Sequence, residues 1–222
     1  MIRDVALLGL ALAALAAMVA FQRAHVRRVG GERRALLEGV RSLFEEARVS
    51  QEGIGYPCLT ATHAGYPVRV DLVADSAAMR QLPRLWLVVS LLRPVDVAAP
   101  VDILLRPQPS DIVSPGERFA YEHVAPPGWP DHLRIATPGP DAPDLRPSDT
   151  LLALLREPET KDVLAGPGGV RIVQELARAD LGQWRLVRRA KFVVQPPRAR
   201  LASLLDAAHA IAGHLDRTAI NA

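Results

Sequence analysis

Residues 84–92 read RLWLVVSLL, and after Arg84 only Ser90 is polar. So nearly continuous an apolar run fits a central β-strand covered on both faces. Upstream, Cys58–Thr62 and Val68–Val73 flank His63-Ala64-Gly65-Tyr66-Pro67, a turn-rich connection that predicts a hairpin. Downstream, Val101–Arg106 reads as a shorter strand. Twelve of the 19 prolines then fall between Pro94 and Pro147. Proline cannot donate to a sheet ladder, so this stretch predicts edge strands and loops, with Phe119–Val124 and Leu133–Thr137 as its strands.

Further out, Ser148 is placed to cap a short helix over Asp149–Arg156. Gly166-Pro167-Gly168-Gly169 punctuates the chain, and Val170–Leu176 with Gln183–Val194 reads as a second hairpin. In Gln183–Val194, Trp184, Leu186, Ala190 and Phe192 share one parity and Arg185, Arg189 and Lys191 the other, the pattern of a half-buried strand. Pro196-Pro197 opens a last helix whose stripe is Leu201, Leu204, Leu205, Ala208, Ile211, Ala212 and Leu215. Near the other end, Gly30-Gly31 predicts a break. A helix over Glu32–Arg48 follows, burying Leu36, Leu37, Val40, Leu43, Phe44 and Ala47, with Gly53 and Gly55 beyond it. The fold class expected is α+β: an N-terminal transmembrane helix, then a mostly antiparallel sheet covered by helices. Val68-Arg69-Val70 with Trp86 is echoed by Val170-Arg171-Ile172 with Trp184, which would fit an internal duplication.

Val5 to Phe21 reads VALLGLALAALAAMVAF, without a charge. Its length is at the lower limit for a membrane span, about 17 residues. Arg23, Arg27, Arg28, Arg33 and Arg34 follow it, opposed only by Glu32, so the positive-inside bias places the C-terminal bulk in the cytoplasm. The organisation expected is an anchor with its basic flank over 1–28 and a single cytoplasmic α+β domain over 29–222. The rival is a signal peptide in residues 1–20, which would export the chain; its n-region is nearly neutral, and the arginines after the run oppose export.

The chain has 222 residues, 27 basic and 24 acidic, a formal net charge of +3. That whole excess lies in residues 1–28, and residues 29–222 are neutral overall. The basic isoelectric point is therefore a topology signal, and nucleic acid is not an expected partner. A single cysteine excludes an intramolecular disulfide framework and multi-cysteine metal sites. Arginine outnumbers lysine 25 to two, and alanine and proline abound, which fits a bacterium with a GC-rich genome.

The catalytic candidates are Glu122, His123, Asp131 and His132, two carboxylates and two imidazoles around the stiff Val-Ala-Pro-Pro-Gly-Trp-Pro loop, able in principle to hold a divalent metal or share a proton. Their spacing matches no zinc signature, and no metal or cofactor is expected. Cys58 and His63 suggest a nucleophile and base, but if 58–63 is extended they point to opposite faces. His209 and His214, five apart on the last helix, are turned away from each other. The glycines at 53–55 and 166–169 lack the context of a phosphate loop. Arg185, Arg189, Lys191, Arg198 and Arg200 form a basic cluster for anionic lipid or an acidic partner. They could instead face the acidic stretch 111–169 of the same domain.

The function expected is that of a non-catalytic interaction or scaffolding domain at the cytoplasmic face of a bacterial inner membrane. The bilayer would hold residues 5–21, and the partner would be a membrane-associated protein or a second copy of the chain. The alternatives are a membrane-tethered metal-dependent hydrolase built on the 122–132 loop and a lipid- or small-ligand-binding domain.

Overall fold

The computed structural model describes residues 2–75, 82–108, 111–115, 118–141, 148–182, 184, 190 and 192–220. Helix α1, Ile2–Glu38, is one continuous 37-residue helix. Leu10, Met18 and Phe21 stand 69%, 63% and 74% exposed, so nothing in the molecule covers the apolar run. It is long and apolar enough to cross a membrane.

The expected break at Gly30-Gly31 is absent. A helix-interior glycine costs only about 0.5–1 kcal/mol relative to alanine, which a helix propagating from both sides absorbs. The pairs Arg28–Glu32 and Arg34–Glu38, 3.0 and 3.2 Å apart, reinforce the turns around it. The glycines instead admit a neighbour: Gln51 Nε2 donates to the Gly30 carbonyl at 3.1 Å. Nor does a helix run over Glu32–Arg48. It ends at Glu38, a 3-10 turn spans Arg41–Leu43, and strand β1 occupies Glu45–Ser50. The expected stripe still faces inward, with Leu37 and Val40 fully buried and Leu36, Leu43, Phe44 and Ala47 packed against the core. Three backbone conformations serve one buried stripe, which is why periodicity alone read it as one helix.

Strands β2 (Cys58–His63) and β3 (Tyr66–Asp75) form the expected hairpin, and β4 covers Arg84–Leu91. Then come β5 (Val101–Leu105), β6 (Tyr121–His123) and β7 (Leu133–Thr137). Helix α2 (Asp149–Arg156) carries the expected cap, with Ser148 Oγ accepting from the Leu151 amide at 3.1 Å. Strands β8 (Thr160–Gly166) and β9 (Gly169–Arg178) precede helix α3 (Arg198–Ile220). The described strands form one antiparallel sheet in the order β1-β2-β3-β4-β9-β8-β5-β7-β6.

The second hairpin differs from expectation. Strand β9 pairs with β8 on one side and β4 on the other, not with 183–194. In that segment Trp184 lies in a helical turn and 190 and 192–194 are not strand, while Gln183, Arg185 to Arg189 and Lys191 fall outside the described residues. Strand β8 escaped periodicity because its polar residues, Thr160, Lys161 and Asp162, are themselves buried. The echoed tripeptides prove to be the two flanks of β4: Val70 and Ile172 both lie opposite Val89.

The sheet has two unlike faces. Leu85, Leu87, Val89 and Leu91 of β4 join Leu154 and Leu155 of α2 and Leu201, Leu205, Ala208 and Ile211 of α3 in the main core. On the other face a smaller cluster holds Trp86, Val113 and Val173, so β4 is covered on both sides by different means. Gly169 starts β9 at φ +129, where a Cβ would stand 2.0 Å from the Leu91 carbonyl oxygen. No other residue fits there.

Candidate functional site

The structure does not bring the four residues expected to form a catalytic loop into one described metal-binding group: Glu122 and His123 make separate local contacts, and Asp131 and His132 are exposed. Thr137 Oγ1 donates to the Gly139 carbonyl at 2.6 Å, so His123 Nε2, 2.6 Å from that hydroxyl, is the N–H that donates to it. Glu122 lies 3.8 Å from Arg134 and is 66% exposed. His132 has a left-handed backbone, and its carbonyl accepts from the Arg106 amide at 2.7 Å. Asp131 is exposed beside it. Among the described residues, no group of three or more His, Cys, Asp or Glu could hold a metal ion.

Cys58 and His63 do fall on opposite faces of β2. Cys58 lies across from Asp71, in a corner shared with Arg69 and Ser50. Partial burial, then the neighbouring Asp71 carboxylate, pushes its thiol up to about 11. It is therefore a protonated, poorly nucleophilic group at neutral pH. His63 shares the helix-facing parity of Leu59 and meets a residue that sequence spacing had set aside. Its Nδ1 lies 3.2 Å from Nε2 of His209 on α3, with Phe44 and Tyr66 flanking the pair. Desolvation, then His63 and Arg93, holds His209 below the ordinary imidazole range, while Asp206 opposes the shift.

Of the basic cluster, Arg185, Arg189 and Lys191 lie outside the described residues. Arg198 donates to Ser42 Oγ at 2.5 Å and Arg200 to the Glu175 carbonyl at 2.7 Å, so both fasten α3 to its own domain.

On the non-helical face, two carboxylates that the sequence did not single out are fully buried side by side. Asp102 of β5 accepts from Ser114 Oγ at 2.7 Å and lies 3.2 Å from Arg134; Asp162 of β8 lies 3.0 Å from Arg171. Asp102 Oδ1 and Asp162 Oδ2 meet no donor among the described residues. Burial, then the charge of Asp102 and a hydrogen bond with it, holds the Asp162 carboxyl well above the usual range, against the pull of Arg171. A carboxyl held protonated can donate where a carboxylate cannot, so Asp162 is the member able to supply a proton to the pair. Arg171 also donates to the Val113 carbonyl at 2.6 Å, and buried Lys161 pairs with Asp111 at 2.9 Å, so the cluster fastens the β5–β6 connection over this face. It is a sealed structural network.

The open site lies beside α1. A groove of about 840 Å³ runs between His25, Arg28, Val29, Glu32, Arg33 and Leu36 on the helix and Ala190, Phe192, Val193, Val194 and Pro196 opposite, with Tyr56 and Leu85 between them. Its walls are tied together. The Arg33 guanidinium stacks 4.4 Å from the centroid of Tyr56 and donates to the Ile54 carbonyl, and Phe192 meets Tyr56 edge-on at 6.2 Å. At the far end, Pro196 packs so closely on Gly39 that a Cβ there would lie 2.9 Å from its Cγ. Arg23 and Arg27 project from the exposed helix just before the groove. The arginines read from sequence as a membrane flank thus divide: Arg23 and Arg27 stay on the surface, while Arg28, Arg33 and Arg34 bind the helix and the domain edge. The groove escaped the sequence because its walls are more than 150 positions apart.

Comparison with protein-family models, with curated proteins and with solved structures returns no match for this chain.

Proposed function

We propose that this chain is a membrane-tethered, non-catalytic binding domain, held by residues 5–21 at the cytoplasmic face of a bacterial inner membrane, where it engages a membrane-associated protein or a second copy of itself. The observation that carries this reading is the continuity of α1. The same helix bears the exposed apolar run and, at Arg33, Arg34 and Leu37, docks on the domain through the Tyr56 stack, the Val49 carbonyl and the core. A tether of that kind presents the domain at a fixed height and raises the effective concentration of a membrane-bound partner. The scattered, internally paired states of Glu122, His123 and His132 favour binding over hydrolysis.

Three measurements on the full chain test the reading. Intact mass of protein recovered from carbonate-washed membranes should retain residues 1–20; loss of them would identify a signal peptide. Reporter fusions after residue 222 should report a cytoplasmic C-terminus. Crosslinking in native membranes should then trap a discrete partner or a dimer, and a lone monomer would overturn the interaction reading. Stoichiometric metal in untagged protein would revive the hydrolase alternative. The groove beside α1 is the specific observation favouring ligand binding as a second reading.

A further inference from the structure

We infer that the groove between α1 and the wall of Ala190, Phe192, Val193, Val194 and Pro196 is a phospholipid site, taking the anionic headgroup at its Arg28 end and an acyl chain along its apolar walls. The inference rests on the membrane-tethered reading and names a ligand for it.

Position comes first. Counting at 1.5 Å per residue, His25 stands about 6 Å and Leu36 about 22 Å past Phe21, the end of the apolar run. The headgroup zone is about 5–7 Å deep on each side of the hydrocarbon. The groove therefore opens at headgroup level at His25, with the Cα of Arg28 about 10 Å past Phe21 and its long side chain able to reach back to that level, and it leads away from the bilayer along the domain. Chemistry changes along the same path. At the opening lie His25 and Arg28, with exposed Arg23 nearer the membrane and exposed Arg27 on the adjoining helix surface. Glu32, the acidic residue of the lining, pairs with Arg28 at 3.0 Å across two exposed side chains, and Arg23 and Arg27 beside them leave the mouth with a net positive charge. Deeper in, the walls are largely apolar, Val29, Leu36, Leu85, Phe192 and Val194, with Arg33 and Tyr56 stacked on each other among them. A polar cationic mouth over an apolar interior complements an anionic amphiphile, and about 840 Å³ lies in the range of small-molecule sites, about 300–1,000 Å³. Val193, beside these residues, is 85% exposed, apolar surface that an occupant would cover.

The test uses the full chain in nanodiscs of phosphatidylcholine containing a minor fraction of phosphatidylglycerol, released for native mass spectrometry. The expected result is one retained phosphatidylglycerol per chain. Ala190→Trp, which fills the groove from its wall, should lower retention at least tenfold. Val193→Glu, an exposed change that sets a negative charge at the groove, should do the same. Arg28→Gln should leave retention measurable but abolish the preference for phosphatidylglycerol over phosphatidylcholine. Far-UV circular dichroism confirms that each variant is folded. Retention unchanged in both groove variants would assign the lipid to the exposed helix surface and overturn the inference. So would equal retention of the two lipids by the wild-type chain, or a photoactivatable residue at position 193 that crosslinks in native membranes to a protein rather than to lipid. Carbonate extraction separates the two failures: a chain washed off the membrane sinks the tethered reading, whereas an integral chain that keeps no lipid sinks only this one.

Discussion

Asp162→Asn should stabilise the protein at neutral pH, although it removes a buried charge-bearing group from a pair. Asp162 and Asp102 are both 0% exposed, and burial, then the neighbouring Asp102, holds the Asp162 carboxyl well above its ordinary value, so it keeps its proton past the usual range. Asparagine copies the protonated acid: its oxygen accepts from Arg171 and its amide donates to Asp102 Oδ1. In the wild type, the unfolded chain ionises Asp162 from about pH 3.8 upward while the folded chain keeps the proton. The unfolded state then binds fewer protons, so stability falls as pH rises, by about 1.36 kcal/mol per pH unit, until the folded-state pKa is reached. Above that point the loss is complete and constant. The variant lacks this term, so its advantage over wild type should grow at the same slope from about pH 4 and then level off. Urea unfolding of the full chain in non-ionic micelles, followed by circular dichroism at unit pH steps, reads both profiles. Asp162→Ala, which strands Asp102 and Arg171, should instead cost about 3–5 kcal/mol. Parallel profiles for wild type and Asp162→Asn, or a variant less stable at neutral pH, would refute a protonated Asp162.

Four further outcomes are expected. Because the Cys58 thiol is held at about 11, alkylation should be negligible near pH 8, and Asp71→Asn, which removes two of the causes, should speed it severalfold in a timed labelling assay. His209 is held below the imidazole value of 6.5, so the folded state takes up its proton later than the unfolded state as pH falls. Stability is therefore lost on acidification below about 6.5, and His209→Gln should flatten that limb of a thermal-unfolding profile. Gly31→Ala should stabilise α1 by about 0.5–1 kcal/mol in chemical denaturation, because nothing lies within 4 Å of its Cβ position; a hinge at Gly30-Gly31 would give the opposite result. Gly169→Ala, by contrast, drives a methyl into the Leu91 carbonyl and should cost more than about 3 kcal/mol, read as loss of folded protein on expression.

Much of the fold was legible wherever a local rule applies. The hairpin around Ala64-Gly65, strands β4, β5 and β7, the Ser148 cap and the α3 stripe all follow from two- or four-residue periodicity, turn residues and capping chemistry. Strand β8 and the end of α1 did not follow. Thr160, Lys161 and Asp162 look solvent-facing until Gln174, Asp111, Asp102 and Arg171 are brought to meet them. Leu43, Phe44 and Ala47 look helical because a turn and a strand happened to preserve an inward stripe. The candidate sites were less legible still. Glu122, His123, Asp131 and His132 are neighbours in sequence, yet the backbone sends them to different partners. His63 and His209 are 146 positions apart, and α3 lays one on the other.

What the amino-acid order determined by itself is whatever depends on adjacent residues: an apolar helix flanked by arginines, an antiparallel α+β pattern, and a net charge that resides in the first 28 residues. Tertiary structure alone decided the rest. It fixed the pairing of β9 with β8 and β4, the burial of Asp102 beside Asp162, the imidazole pair, and the groove between α1 and the Ala190, Phe192 and Val194 wall. Periodicity records which way a side chain points from its own backbone. It carries no information on what another segment places opposite, and each of these features consists of that opposite partner.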